Sequence, residues 1–396
     1  MNGRILIAGA GPVGCTAALS LARRGLPVTI LEAEGELPED LRASTFHPPT
    51  LDMLDEVGIT ERLLPQGLVV RQVQYRDRRS GVAATFDLGL LADHTRHPFR
   101  LQCEQYKLTH TVVEMLAAYP NAEVLYGHRV RELRQDGAGV DVLVEHGSHT
   151  RTLRGDILVG ADGAGSSVRK ALSIPFEGYT YPERLLVVST THPLESRFPG
   201  LALVNYVSDT SEWCVLLRTP DLWRVQFPTD PAAHDNDLLA DRFIQAKLQA
   251  LTDEPSAFDV RHRTLYRIHQ RVARDWRVGR VVLAGDACHV NNPLGGMGMN
   301  GGLHDALNLA DKVFQVVSDG APEDLLDIYV RQRRGVCLHV IQEQTARNKA
   351  TMEERDAARQ HRRMMELVAM AGDAASAREF LLQSSMITSV EMAAAL

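Results

Sequence analysis

The sequence predicts an α/β protein: a discontinuous, Rossmann-like nucleotide-binding domain, an inserted and mainly antiparallel β-sheet, and a helical C-terminal tail. Three observations predict it. The chain opens on a short apolar run, a glycine-rich turn, a helical stretch and a second apolar run. That order is a βαβ unit, which implies a parallel sheet with a right-handed crossover. Two later apolar runs, at 156–161 and 280–283, lead into Asp162-Gly163 and Gly285-Asp286. Between them, at 185–227, the texture changes to short β-rich runs parted by turn residues.

Taken in order, residues 4–8 (RILIA) read as a buried strand, 16–24 as a helix and 28–31 (VTIL) as a second strand ending at Glu32. Residues 50–64 carry Leu51, Leu54, Val57 and Ile59 near helical spacing, and 105–118 read as helix too. Strands are expected at 123–125, 129–134 and 140–145, with DGAG as the turn between the last two. DILVGA at 156–161 is a further buried strand, followed by a helix near Ser166. LLVVST, LALVNYV, WCVLLR and WRVQF make up the β-rich insertion, and 236–250 return to helix. The arginine-rich stretch 261–280 reads as a solvated surface leading into the strand RVVLA. After Gly302 the chain reads as helix to its end, with 345–371 long, charged and amphipathic. The expected nucleotide-binding domain comprises 1–70, 100–180 and 275–320. The expected substrate domain comprises 71–99 and 181–274, and 321–396 form the C-terminal helical region.

Bulk properties agree with an ordinary globular protein. The chain has 396 residues, 44% hydrophobic and 23% charged, with a net charge of −7. The length suits about two or three domains. The acidic balance argues against nucleic acid as the main partner, since phosphate binding wants a basic face. Cys15, Cys103, Cys214, Cys288 and Cys337 lie far apart with no metal-ligand spacing, so no metal site is expected and a reducing, cytoplasmic compartment is. No signal-peptide pattern and no apolar run of membrane-spanning length is read from the sequence.

Three motifs carry the chemistry. GAGPVG follows the first strand and opens the first helix. Gly9 permits the tight turn, Gly11 lets backbone approach a pyrophosphate, and Gly14 lets helix and strand pack closely. Glu32 stands where an acid can accept hydrogen bonds from ribose hydroxyls. Asp162 lies at the carboxyl end of a strand, where α/β sheets bind ligands, though capping the next helix is the competing role. The third motif is AGDACHVNNPLGGMGMNGG, an acid, a histidine and a proline among glycines between a strand and a helix. A helix N-terminus there favours negative charge on a ligand.

Together with Arg42-Ala43-Ser44, FRLQCEQ and GADGAGSSVR, these stretches resemble the single-component (class A) FAD-dependent aromatic hydroxylases, which have the para-hydroxybenzoate hydroxylase fold. The resemblance covers nearly the whole chain. It implies bound FAD held by Gly9, Gly11, Gly14 and Glu32, with Arg42 near the diphosphate and Gln105 on the cofactor. It implies that Asp162 and Gly163 serve FAD and the nicotinamide donor, that Asp286 contacts the ribityl chain, and that Gly298, Met299 and Asn300 face the pyrimidine edge. Pro12, Val13, Ala33, Val130 and Gly285 complete the expected cofactor contacts, and Pro293 is expected over both flavin and reaction site. Only one dinucleotide fingerprint is found, which fits transient binding of NAD(P)H. The tail leaves no room for the thioredoxin-like domain of larger phenol hydroxylases.

The activity implied is an NAD(P)H-dependent flavoprotein monooxygenase that hydroxylates a small electron-rich aromatic, phenolic or N-heteroaromatic, with O2 through a flavin hydroperoxide. Alternatives are hydroxylation or epoxidation of a polyketide or quinone precursor, and a flavin-binding protein without turnover. Trp213, Trp223 and Trp276 form no WxWxIP stretch, which disfavours halogenation. A stable membrane association is not expected, and the resemblance leaves room for a homodimer. Residues for the substrate pocket are Pro293, Thr45, Tyr206, Arg218 and Arg224. Either arginine could take a substrate carboxylate bidentately, a solvated sheet face being the competing role. Tyr206 could bond a phenolic oxygen or sit in the core. His289 and His47 read as local structural hydrogen-bonders.

Overall fold

The computed structural model describes residues 3–39 and 41–396. Its first layer is a six-stranded sheet. The strand order is Arg277–Val278, Val281–Leu283, Ile157–Gly160, Ile5–Ala8, Val28–Leu31 and Ala122–Leu125. All neighbours pair in parallel except the antiparallel edge pair Arg277–Val278 with Val281–Leu283. Ile5–Ala8, Val28–Leu31 and Ile157–Gly160 are buried at every residue. Helix Pro12–Ala22 packs on one face and a three-stranded antiparallel sheet, Arg129–Asp136, Gly139–His146 and His149–Gly155, on the other, which is why these doubly covered strands read as continuous apolar runs rather than alternating ones.

The second layer is an eight-stranded sheet. Its order is His289–Val290, Val260–Ala273, Phe176–Thr190, Trp223–Pro228, Cys214–Arg218, Val204–Ser208, Gln72–Asp77 and Gly81–Asp87. It is antiparallel except where Val204–Ser208 pairs in parallel with Gln72–Asp77. One face packs against helix Asp241–Thr252 through Leu186, Val188, Leu216 and Val225. The other carries Leu185, Val187, Val204 and Tyr206 and packs against the C-terminal helices. Among the described residues no helix is long and apolar enough to cross a membrane.

Several elements differ from the sequence expectation. The stretch expected as solvated surface holds Val260–Ala273, a central strand paired along Phe176–Thr190. Its arginines hide the strand pattern: Ile268 and Gln270 are buried while Arg267 is exposed, because long basic side chains lay their stems on the sheet and keep their heads in water. The expected helix 50–64 breaks into Pro48–Glu56 and Thr60–Leu63, since Gly58 takes φ +77° between them. The helix expected from Leu303 begins at Met297 and runs to Ser318, so the later glycines of the motif lie within its first turns. The single helix expected over 345–371 is two, Gln342–Met352 and Ala357–Gly372, the second N-capped by Asp356. His149–Gly155, and a small sheet of Thr45–Phe46, Arg100–Gln102 and Leu68–Val70, had no counterpart in the expectation.

Beneath the glycine-rich motif lies a buried charge cluster. The Asp305 carboxylate accepts from Gly285 N (3.1 Å), from Arg333 Nε (2.8 Å) and faces His289 Nε2 (2.7 Å). Cys288 lies beside it, and Cys288, His289 and Asp305 could together offer metal ligands. The carboxylate is already engaged by these three donors, and burial pushes the Cys288 thiol well up. The cluster therefore ties the strand-end turn to helices Met297–Ser318 and Leu325–Val336, and His289 is structural as expected.

Burial alone would raise the Asp305 pKa, but His289 and Arg333 hold it well below the usual carboxylate range. A depressed native pKa stabilises the fold above the unfolded value of about 4. The contribution is lost as pH falls from there through the native pKa. Asp305→Asn is expected to cost about 3–5 kcal/mol at neutral pH. Urea unfolding of both proteins should show that gap shrinking below about pH 4. A gap that does not change with pH would remove the ionic account.

Candidate active site

The first strand ends in a turn built on two steric needs. Gly9 has φ +97°, and a Cβ there would lie 2.6 Å from the Ala161 carbonyl oxygen. A Cβ on Gly14 would lie 2.0 Å from the Gly9 carbonyl oxygen. Gly11 differs: a Cβ there meets nothing within 4 Å. It opens onto a groove at the N-terminus of helix Pro12–Ala22, whose first N–H groups have no helical partner. Across the groove, Glu32 accepts from Ala10 N (2.7 Å) and Glu34 N (2.9 Å). A carboxylate has about four acceptor sites, so capacity remains toward the groove. Pro12, Val13, Ala33 and Val130 complete this wall.

Asp162 takes the capping role weighed for it. Its oxygens accept from Ser166 Oγ (2.5 Å), Ser167 N (2.6 Å) and Val168 N (3.1 Å), so it caps helix Ser167–Ala171. Asp162 and Gly163 also line the groove.

On the far side stands the third motif. Gly285 and Gly302 each bring backbone against Val13, where a Cβ would lie 2.7 Å from its side chain. Gly285, like Gly14, therefore packs the two motifs together rather than lining the groove. The Asp286 side chain is exposed toward the groove. The protein packed around it nonetheless raises its pKa above the ordinary value, against the pull of His289 and Arg42. It has no hydrogen-bond partner among the described residues, which suits it to take hydroxyls from a ligand.

The turn from Pro293 ends at Gly295 (φ +107°) and Gly296 (φ +68°), where helix Met297–Ser318 begins. Pro293, Gly298 and Met299 line the cavity. Asn300 does not. Its buried side chain donates to Thr45 O (2.8 Å) and Gly296 O (2.7 Å) and accepts from His47 N (2.9 Å). His47 Nε2 lies 2.8 Å from Gly295 O. Burial, then the charge of Arg100, holds the His47 pKa well below its ordinary value, so its ring is neutral and donates through Nε2. Asn300 and His47 thus hold the shape of the turn from behind.

The groove continues as one cavity of about 680 Å³ onto the inner face of the eight-stranded sheet, walled by Leu185, Val187, Val204, Tyr206, Val215 and Leu217. Thr45 lines it and accepts from Gln102 Nε2 (2.9 Å). Tyr206 lines it and stacks on Tyr75 at 5.1 Å.

The two arginines expected to bind substrate are placed otherwise. Arg218 lies on the opposite sheet face, with its guanidinium 5.8 Å from the Trp223 ring and outside the cavity lining. Cross-strand pairing of Tyr206 with Val215 puts odd-numbered residues of Cys214–Arg218 on the cavity side. Arg224 is on the cavity side but is buried and occupied: it donates to Ser44 Oγ (3.0 Å), Arg42 O (3.0 Å) and Leu41 O. It clamps the Arg42–Ser44 loop, which Gln105 also steadies by accepting from Ala43 N (3.3 Å). Arg42 itself lines the groove. Arg224→Ala is expected to cost about 3 kcal/mol and to lower flavin content, both read from melting curves and absorbance. Arg218→Ala should leave substrate KM unchanged.

One cavity residue had no place in the sequence expectation. Arg100 is 3% exposed and lines the inner cavity. Its Nη2 donates to Ser384 O (3.1 Å), its Nε has no partner, and no carboxylate pairs with it among the described residues. An unpaired buried cation is costly, so its presence in a ligand cavity points to an anion supplied from outside. The signal was in FRLQC: Phe99, Leu101 and Cys103 alternate with Arg100 and Gln102.

The family described as FAD binding domain matches residues 3–344. Para-nitrophenol 4-monooxygenase of Pseudomonas sp. (strain WBC-3) is 34% identical over 383 residues, 96% of this chain and 94% of that protein. 6-Hydroxy-3-succinoylpyridine 3-monooxygenase of Pseudomonas putida is 33% identical over 350 residues, 88% of each chain. The crystal structure of p-nitrophenol 4-monooxygenase from Pseudomonas putida DLL-E4 superposes with a TM-score of 0.91 at 31% identity, covering 96% of both chains. An anhydrotetracycline hydroxylase from Streptomyces rimosus superposes with a TM-score of 0.79 at 27% identity, covering 96% of this chain and 76% of that one.

Proposed function

The chain belongs to the FAD-dependent flavoprotein monooxygenases, and from that membership we propose that it uses NAD(P)H and O2 to hydroxylate a small phenol bearing a second polar, charge-accepting substituent such as nitro. The observation that supports this reading is Arg100, a buried cation with no carboxylate partner among the described residues, at the apolar end of a cavity continuous with the dinucleotide groove. FAD, when bound, supplies the oxygen-transfer chemistry. The chain's own residues hold it and present the ring.

Gly11 and the first turn of helix Pro12–Ala22 would take the diphosphate, Glu32 the ribose, and Asp286 the ribityl hydroxyls. The N-terminus of helix Met297–Ser318, which opens on the same cavity, would stabilise negative charge on the bound ring system through the helix dipole. Leu185, Val187, Val204 and Leu217 exclude water, and in that low-dielectric setting Arg100 favours the phenolate, or the anionic end of the substituent, over the neutral form. An electron-rich phenolate ring is the better acceptor of an electrophilic oxygen.

The name of the first relative places oxygen at ring position 4, which in para-nitrophenol carries the nitro group, so 4-nitrophenol is the first compound to test. All five cysteines are free and buried, as in a reducing compartment, and we place the enzyme in the cytoplasm. The test is NAD(P)H oxidation by the purified yellow protein with 4-nitrophenol, with its methyl ether, and with no addition. Stimulation by the phenol is expected, and because oxygen entering at the nitro-bearing carbon must expel that group as nitrite, one nitrite and one quinone should form per NAD(P)H and O2 consumed in oxygen transfer. Oxidation unaffected by any phenol would favour a flavin-binding protein without turnover.

A further inference from the structure

The inner end of the cavity is not closed by the eight-stranded sheet alone. Helix Ala374–Ser384 lies behind it, beyond the residues that the family match covers. Ala377, Phe380, Leu381 and Ser384 follow helical spacing and turn one face inward; Ala377 and Leu381 are buried with the cavity-wall residues Val187 and Tyr206. Two contacts from this face reach the substrate end.

The first is through Arg100. Ser384 is the last residue of the helix, so its carbonyl has no partner within the helix. It accepts from Arg100 Nη2 at 3.1 Å. A helix C-terminus carries partial negative charge that favours a cation. The helix therefore sets where the guanidinium stands, and leaves its Nε for another acceptor.

The second is through a ring stack. Phe380 packs on Phe86 at 4.4 Å and on Tyr75 at 6.0 Å. Tyr75 lies edge-on to Phe86 at 5.8 Å and stacks on Tyr206 at 5.1 Å. Tyr206 is the ring that faces the cavity. Among the described residues neither tyrosine hydroxyl has a hydrogen-bond partner, so ring packing is what fixes their tilt. Closely packed interiors transmit a change of one side chain to its neighbours.

We propose that helix Ala374–Ser384 is the specificity-determining wall of the enzyme, acting through Phe380 on the Tyr75–Tyr206 stack and through the Ser384 carbonyl on Arg100. Phe380 is a positioning residue that never touches the substrate. Its size sets how far Tyr206 stands into the cavity, and so the width of phenol accepted. This inference rests on the phenol hydroxylase reading.

The experiment measures Kd for 4-nitrophenol and for 4-nitrophenols with progressively larger 2-alkyl groups, from perturbation of flavin absorbance, in wild type, Phe380→Leu and Phe380→Ala. Phe380→Leu guards against a variant that does not fold, and circular dichroism with flavin content reports on both. For Phe380→Ala a rise of about tenfold in Kd for 4-nitrophenol is expected, with the bulkier phenols gaining, so that the order of preference inverts. Phe380→Leu should fall between. In turnover, KM should move more than kcat. Folded, flavin-loaded variants that keep the wild-type order within about twofold overturn the inference while leaving the phenol reading intact. A wild type that binds no phenol of the panel overturns both.

Discussion

Arg100→Met is expected to raise KM for 4-nitrophenol by about a hundredfold while leaving the ligand-free protein as stable as wild type, or more so. The two halves of this expectation come from one observation. The guanidinium is buried, donates once to a backbone carbonyl and pairs with no carboxylate among the described residues. Removing it from the empty protein removes an uncompensated charge, and methionine fills comparable volume with apolar atoms. Removing it from the complex strands a buried anion, a loss of about 3 kcal/mol, which is about two decades in affinity. The methyl ether of 4-nitrophenol, which cannot ionise at oxygen, should lose less. Arg100→Lys should recover part of the binding, because a point charge replaces a planar fork. Melting temperature and KM, measured on the same preparations, decide the matter. A variant that melts far below wild type would instead make Arg100 a strut for the C-terminal helices.

Which parts of this site could be read from sequence follows from how local their causes are. Gly14 and Glu32 meet neighbours within one βαβ unit, Gly9 O and Ala10 N, so spacing alone places them, whereas the Ala161 carbonyl that crowds Gly9 comes from a distant strand. The inner cavity depends on pairing between distant strands. Arg218 and Arg224 were equal candidates as sequence, but Tyr206 facing Val215 and Leu217 facing Arg224 put one arginine outside and the other within. Even then, only the path of the Arg42–Ser44 loop shows that Arg224 is occupied. Arg100 sits on a three-residue strand between two others of similar size; the alternation in FRLQC sets it on one face with Gln102, but only the pairing of distant strands turns that face to a cavity. Asn300 shows a further limit: its place in the motif was legible, but the direction of its side chain, back toward Thr45, was not. In Val260–Ala273 the arginines mask the alternation, because their stems lie on the sheet while their heads reach water.

The fingerprint glycines separate folding from cofactor binding, and paired substitutions should expose the division. Gly11→Ala is expected to fold with the melting temperature of flavin-free wild type yet to purify nearly colourless. Gly14→Ala is expected to fold poorly or not at all. Neither position has a left-handed φ, so alanine is conformationally allowed at both and the difference is steric. At Gly14 the added methyl would stand 2.0 Å from the Gly9 carbonyl oxygen. Both atoms belong to backbone fixed between the first strand and helix Pro12–Ala22, so relief requires that strand and helix part. Loss of their packing is worth several kcal/mol, about the upper range for single substitutions. At Gly11 the methyl meets no protein atom within 4 Å and projects into the groove where the diphosphate approaches the helix N-terminus. It costs nothing until the cofactor arrives, and then it displaces a doubly charged group from its hydrogen bonds. Flavin titration followed by fluorescence quenching, beside melting curves of the flavin-free proteins, reads both quantities. Full flavin retention by Gly11→Ala would move the diphosphate away from this turn, whereas a stable, well-folded Gly14→Ala would mean that strand and helix separate more easily than their burial implies.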